Sequence, residues 1–532
     1  MARRPPAGTG RDLSYDLEVT RYSRRQFIGG ALGSAVAWPA IAAAARQATE
    51  PSRLFGHGVA SGDPLADRVM LWTRATPRVE GPSASLAVRW VLADDERLEK
   101  VVASGTVVTS PERDYTVKVD AGGLRPGRTY YYAFDATGER STIGRTRTLP
   151  QDDVTRVRLA SVSCSNYPAG YFNVYRCLAG RDDLDAVLHL GDYIYEFANG
   201  VYGDGSGSGR VPMPAGEAST LAEYRQRYAS YRSDVDLQAA HAAHPFIAVW
   251  DDHEVINDWW RGGAAGHTAR RGDWATRLAA GLQAYREWMP VRETGDGSFR
   301  LYRGFRFGRL ADVMMLDTRS FRDRQVPGRD VAALADPART LMGAAQEEWL
   351  FAGLQRSQRE GAGWRLIGQQ TMFSPLSPPG VPPQNTDVWD GYPVARGRVF
   401  DLIEKSRLSN VAILTGDIHS SWALDVPRSP LKGYTAATGE GSLAVEIVTP
   451  AISSPPLFAS ASMRDATSLL QLFSPHLKFV EGEHRGYVLL DVTRSRLQSE
   501  WYFVPAVDVR SATESRAAAF VCEAGSSRLS KA

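Results

Sequence analysis

The sequence predicts an α/β protein of mixed β-sheets flanked by helices over residues 151–532, preceded by a small all-β sandwich of the immunoglobulin or fibronectin kind over residues 49–150. Three observations predict this. From 54 to 149, short runs of β-branched and aromatic residues are separated by turns. Beyond Gln151-Asp152-Asp153, apolar runs of strand length alternate with helical stretches, the pattern of buried strands covered by helices. Polar residues with metal-binding chemistry cluster just after those runs, and open α/β sheets bind ligands beyond the carboxyl ends of their strands.

In the first region, residues 69–73, 86–92 and 115–119 read as strands. Leu124-Arg125-Pro126-Gly127-Arg128 reads as a turn feeding a strand through Tyr130-Tyr131-Tyr132. In the second region, the apolar runs 157–162, 186–190, 246–250, 310–316, 364–368 and 411–414 predict strands. Residues 171–178, 276–288 and 346–356 predict helices, and the Gly/Ser-rich piece 203–209 predicts a surface loop.

Composition sets limits. At roughly 150 residues per domain, 532 residues make two to four domains. With 43% hydrophobic and 23% charged residues, a largely disordered chain is excluded. The net charge of +2 gives no electrostatic footprint for nucleic acid, so phosphate recognition must come from a local site. Three cysteines, Cys164, Cys177 and Cys522, cannot form a disulfide framework. Residues 1–48 read as a cleaved export signal. Ser23-Arg24-Arg25-Gln26-Phe27-Ile28 is a twin-arginine motif, and the run 27–45 after it is rich in Gly and Ala and broken by Pro39. Such a run is a poor membrane anchor, and small residues at 42–45 offer a cleavage site. The expected location is periplasmic, secreted or cell-surface, with the twin-arginine translocase as the transient partner.

Four strand ends carry the chemistry. Residues 157–162 lead to Cys164-Ser165-Asn166-Tyr167, and 186–190 to Gly191-Asp192-Tyr193-Ile194-Tyr195-Glu196. Residues 246–250 lead to Asp251-Asp252-His253-Glu254 and Asn257-Asp258, and 411–414 to Thr415-Gly416-Asp417-Ile418-His419. Thiolate, phenolate, imidazole and carboxylate suit iron. Carboxylate and amide oxygens alone suit calcium. Both kinds together imply a multinuclear centre, with a carboxylate, Asp192 first, as the shared ligand. Metals about 3.5–4 Å apart form a clamp for in-line displacement at phosphorus.

Gly191-Asp192, Asp252-His253-Glu254 and Gly416-Asp417-Ile418-His419 resemble variants of the metallophosphoesterase signature. With Phe55-Gly56-His57-Gly58-Val59-Ala60-Ser61-Gly62-Asp63-Pro64, Leu71-Trp72-Thr73-Arg74, Ser163-Cys164-Ser165 and Trp250-Asp251-Asp252-His253-Glu254, nearly the whole chain after the signal resembles the PhoD-like alkaline phosphatases. The resemblance implies an Fe3+ ion with one or two Ca2+ ions. It implies iron on Cys164, Tyr195 and His419, a bridging Asp192, calcium on Asp252 and Asp417, and Asn257 as a further ligand. It also implies that an arginine on the following helix grips phosphate, for which Arg277 is the choice, with Arg319 next. His253 is expected near the phosphoryl group, stabilising charge or protonating the leaving group.

The implied activity is hydrolysis of phosphate monoesters or diesters, with small-molecule phosphate esters and lipid or cell-wall phosphodiesters as substrates. The alternatives are a phospholipase D-type lipid phosphodiesterase on the same scaffold and a non-catalytic metal-containing surface-binding protein. His189, His241, His244 and Cys177 read as structural, Gln370 as a weak ligand at best, and Asp317-Thr318-Arg319 as either support for the site or a plain turn.

Overall fold

The computed structural model describes residues 52–77, 85–293, 299–377, 381–457 and 474–532; the twin-arginine segment lies outside them. Two sheets face each other in the α/β region. One has ten strands, in which Arg156–Val162, Ala186–His189 and Pro245–Ala248 lie side by side and parallel. The other has seven, with Ala311–Met315, Trp364–Gln369, Val411–Thr415 and Ser442–Val448 running parallel. Between them lies a core that includes Leu159, Leu188, Ile247, Val313, Leu366 and Leu414. Strands apolar on both faces are what this burial requires.

Helices cover the outer faces. Tyr224, Tyr228, Leu237, Ala284 and Trp288 pack on the ten-stranded sheet. Leu350, Leu354, Val399 and Ile403 pack on the seven-stranded sheet. Local sequence explains where these helices start. Thr220 and Glu223 form a reciprocal capping box before Leu221–Arg232. Asp273 accepts from the Thr276 N–H at the head of Trp274–Trp288.

The N-terminal strands are tied into the larger sheet. Val59–Gly62 pairs parallel with Pro245–Ala248, then antiparallel with Arg68–Arg74, which pairs with Thr116–Gly122. These three strands are one end of the ten-stranded sheet and also one layer of the N-terminal sandwich. Leu86–Ala93, Val101–Thr109 and Thr129–Ala136 belong to the opposite layer. Leu71, Val88, Val119, Tyr130 and Phe134 fill the space between. Gly62 permits the junction, because a Cβ there would stand 2.4 Å from the Pro290 carbonyl oxygen.

Candidate metal centre

Three neighbouring strands of one sheet and one strand of the facing sheet end at a common point. Arg156–Val162 delivers Cys164, Ala186–His189 delivers Asp192 and Tyr195, Pro245–Ala248 delivers Asp251, Asp252 and His253, and Val411–Thr415 delivers Asp417 and His419. The loops are latched to one another. The Ser165 N–H donates to the Asp192 carbonyl at 2.8 Å. The Glu254 carboxylate accepts from the N–H groups of Tyr193 at 2.7 Å, Asp251 at 2.9 Å and Asp192 at 3.2 Å. Such a carboxylate fixes two loops with a single side chain.

The backbone bends hard at the ligand positions. Cys164, Asp192, Asp417 and His419 have φ of 62°, 56°, 64° and 54°. Left-handed conformations cost a non-glycine residue about 1 kcal/mol or more, and such strain concentrates at functional sites. Gly191, at φ 112°, brings its strand end against Asp251; a Cβ there would meet the Asp251 Cβ at 2.4 Å.

Ligand-type atoms converge in three overlapping groups, each within 4.8 Å: Cys164, Asp192 and His419; Asp192, Asp252 and His253; Asp251, Asp252 and Asp417. The Tyr195 hydroxyl lies in the first group, donating to Asp192 Oδ2 at 2.9 Å and meeting His419 Nε2 at 3.0 Å. The His419 Nδ1 stands 3.0 Å from the Pro455 carbonyl oxygen. A carbonyl only accepts, so Nδ1 carries the proton and Nε2 presents its lone pair. Asp251 Oδ2 and Asp252 Oδ1 are buried with no hydrogen-bond partner. Two unpartnered carboxylate oxygens in a buried acidic cluster are what a cation site requires.

Electrostatics points the same way. Burial first, then the Asp192 charge, pushes the Cys164 thiol and the Tyr195 phenol well above their usual range. Burial pushes Asp192 up as well, Asp251 to about 7 and Glu254 to about 8. Without a counter-charge these groups keep their protons. A bound cation inverts that preference and draws the thiolate, phenolate and carboxylates to itself. Burial disfavours charge on His253, but Glu196, at 2.8 Å from Nδ1, followed by Asp252 and Asp192, holds its pKa well above the ordinary value.

The family described as PhoD-like phosphatase matches residues 159–501, and the N-terminal domain of PhoD-like phosphatases matches residues 40–150. The chain belongs to the PhoD-like phosphatase family. Alkaline phosphatase D of Bacillus subtilis (strain 168) is 37% identical over 537 residues, which cover 96% of this chain and 89% of the relative. A solved structure of PhoD matches with a TM-score of 0.80 at 37% identity, over 90% of this chain and 92% of that one. This PhoD-like phosphatase is accordingly a hydrolase of phosphoric esters, and its mixed α/β fold is that of PhoD.

Not every residue singled out in the sequence reaches the cluster. The guanidinium of Arg277 in this PhoD-like phosphatase is engaged elsewhere. It donates to Tyr224 Oη at 3.1 Å, Glu217 Oε1 at 2.9 Å, and the carbonyls of Ala218 at 3.0 Å and Val255 at 3.3 Å. Its side chain is 0% exposed, and these contacts hold it among Glu217, Tyr224 and two carbonyls. Asn257 is exposed on the loop after His253, and its N–H donates to Glu196 Oε1 at 2.8 Å. Gln370 is fully engaged with Thr318 and the Leu316 carbonyl. His189, His241 and His244 are buried and hydrogen-bonded to Tyr175, Tyr193 and the Leu178 carbonyl. All three cysteines are free and buried.

Arg319 does reach the cluster, and residues that sequence reasoning passed over join it, Asp387, Tyr202 and Ser454 among them. Arg319, from the turn after Ala311–Met315, stands among Asp251, Asp387, Asp252 and Asp417, with nitrogen–oxygen distances of 2.5, 2.9, 3.6 and 3.9 Å. Asp387 also accepts from Arg322 at 2.9 Å and Gln325 at 2.5 Å. Tyr202, just before the Gly/Ser-rich piece, places its hydroxyl 2.9 Å from His419 Nδ1, and Ser454 donates to the Tyr195 oxygen at 2.7 Å. Asp387 and Tyr202 follow no apolar strand, so no periodic signal marks them. Arg319 does follow one, and its position after residues 310–316 is why the sequence offered it as support for the site.

Proposed function

We propose that this phosphatase is an exported, metal-dependent phosphomonoesterase or phosphodiesterase, with Fe3+ held by Cys164, Asp192, Tyr195 and His419, Ca2+ held by Asp252 and Asp417, and Asp192 shared. The observation that carries this reading is the membership of Asp192 in two donor groups, one with a thiol and an imidazole, the other with a second carboxylate. The first set is soft and suits iron; the oxygen-only group of Asp251, Asp252 and Asp417 suits calcium. Bound there, a cation pair supplies Lewis-acid polarisation of phosphoryl oxygens and acidifies a water for in-line attack.

The chain's own residues do the rest. Glu196 holds His253 Nδ1, leaving Nε2 to meet a phosphoryl or leaving-group oxygen. The His253 ring stacks on Tyr195 at 4.2 Å, which fixes its plane. Arg319, fully buried, pins the carboxylates of the calcium side in place. Export rests on Arg24-Arg25 and the weakly apolar run after them. Among the described residues, no helix is long and apolar enough to cross a membrane.

Metal analysis with visible absorption on purified protein tests the centre. The expected result is about one iron per chain and a charge-transfer band from thiolate and phenolate ligation. Colourless, fully active protein holding only zinc overturns the assignment. Turnover of p-nitrophenyl phosphate, its bis ester and phosphatidylcholine then ranks monoester, diester and lipid substrates.

A further inference from the structure

A second buried guanidinium, remote in chemistry from the acidic cluster, has no counter-charge. Arg232 ends the helix Leu221–Arg232 and is 0% exposed. Its Nη2 donates to the Trp288 carbonyl at 3.1 Å. Its Cζ lies 4.2 Å from the Trp72 ring centroid and 5.7 Å from that of Tyr193. Among the described residues it forms no ion pair, and its Nε and Nη1 are buried without a hydrogen-bond partner. The nearby acids are committed elsewhere: Asp234 to Arg210 at 2.6 Å, Glu287 to Arg225 at 2.7 Å, and Asp114 to Arg74 at 2.8 Å.

The surroundings are rings and unpartnered polar atoms. Trp288 packs on Trp72 at 5.8 Å, on His57 at 5.2 Å and on Tyr228 at 6.3 Å. Tyr132 and Tyr228 lie within electrostatic reach of the guanidinium, and so does His57. Tyr132 Oη, Tyr228 Oη, Ser61 Oγ and His57 Nδ1 are all buried with no partner. A guanidinium does not lose its proton in a protein. Burying its charge is costly unless compensated, and cation–π contact returns only part of that cost. Among the described residues, two N–H groups of this one buried cation have no partner, and no carboxylate pairs with it. Water would accept those bonds but leave the charge.

We propose that Arg232 anchors a buried site for a small monovalent anion of the halide class, at the seam between the N-terminal strands that carry Ser61, Trp72 and Tyr132 and the helices that carry Tyr228 and Trp288. Trp288 packs directly on His57 and Tyr228, at 5.2 and 6.3 Å between ring centroids, so nothing larger than an ion of one or a few atoms enters without displacing the rings. The anion completes the coordination of Arg232 and joins the sandwich to the helical layer. The site is independent of the metal centre and takes no part in phosphoryl transfer.

The test uses the full metal-loaded protein crystallised in sodium bromide, with diffraction recorded at the bromine edge. An anomalous peak within hydrogen-bond distance of Arg232 Nε or Nη1 is the expected result. Water density there without an anomalous peak overturns the proposal. Thermal unfolding gives a second readout, with sodium bromide titrated into gluconate buffer at constant ionic strength. The melting temperature should rise and saturate, and Tyr132→Phe should raise the half-saturating bromide about tenfold, the scale of one hydrogen bond to a charged group, with phosphatase activity unchanged. A wild-type melting temperature indifferent to bromide also sinks the idea.

Discussion

Arg319 and Arg232 are both fully buried, and the protein treats them in opposite ways. Arg319 stands among four carboxylates, Asp251, Asp252, Asp387 and Asp417, which outnumber it. Arg232 stands among aromatic rings and hydroxyls, and among the described residues no carboxylate is paired to it. An interior of low dielectric does not tolerate either imbalance for free. The first region has negative charge left over and calls for cations. The second has positive charge left over and calls for an anion. The sign of the uncompensated charge, and not the burial of an arginine, tells which ligand a region takes.

The largest effect should come from removing the charge at the centre of the acidic region. Asp192→Asn takes away the carboxylate common to two donor groups, so two cations lose the anion that lets them lie close. At least one metal should be lost and kcat should fall about a thousandfold, on the scale of losing a principal electrostatic stabiliser. Metal content and steady-state rates check both. Near-normal turnover would mean that the acidic region is not where the reaction happens.

Arg319→Met should come next. It leaves the Asp251 carboxylate buried without its guanidinium and Asp387 with Arg322 alone. Breaking a buried pair from one side costs about 3–5 kcal/mol, readable as a lower midpoint in denaturant. Added calcium should recover part of that loss, since a cation can replace the missing charge. Arg232→Met should show no such calcium response, and a shared response would erase the contrast between the two arginines.

The smallest effect on chemistry should be that of Arg277→Ala. Its four donor contacts go to Glu217, Tyr224 and two carbonyls, so the change should lower stability by about 1–3 kcal/mol and leave kcat of the folded, metal-loaded enzyme within a few-fold of normal. Unchanged stability with a large rise in KM would put Arg277 at the phosphate after all.

What could be read in the sequence follows the reach of periodicity. The apolar runs at 157–162, 186–190 and 411–414 appear as Arg156–Val162, Ala186–His189 and Val411–Thr415. Their first polar followers are the residues that meet in space, because a parallel sheet brings the ends of its strands to one edge. Pairings over long distances leave no local trace. Nothing near Ser61 announces its register with Pro245. Asp387 comes from a stretch rich in proline and polar residues, and Pro455 acts only through its carbonyl oxygen, so neither carries a side-chain pattern. Arg277 shows the converse: its place on a helix after the motif was legible, and the direction of its guanidinium was not.

The left-handed backbone at Cys164, Asp192, Asp417 and His419 has a consequence for how such an enzyme can be improved. Glycine is the residue that relieves each of those conformations, and glycine binds no metal. Selection for heat resistance in a metal-free screen would therefore push these positions toward Asp417→Gly and its like, gaining melting temperature while dismantling the centre. Stabilising substitutions sought with the metals bound would avoid that trap, because the cations then hold the strained loops in place and the search turns to the rest of the molecule.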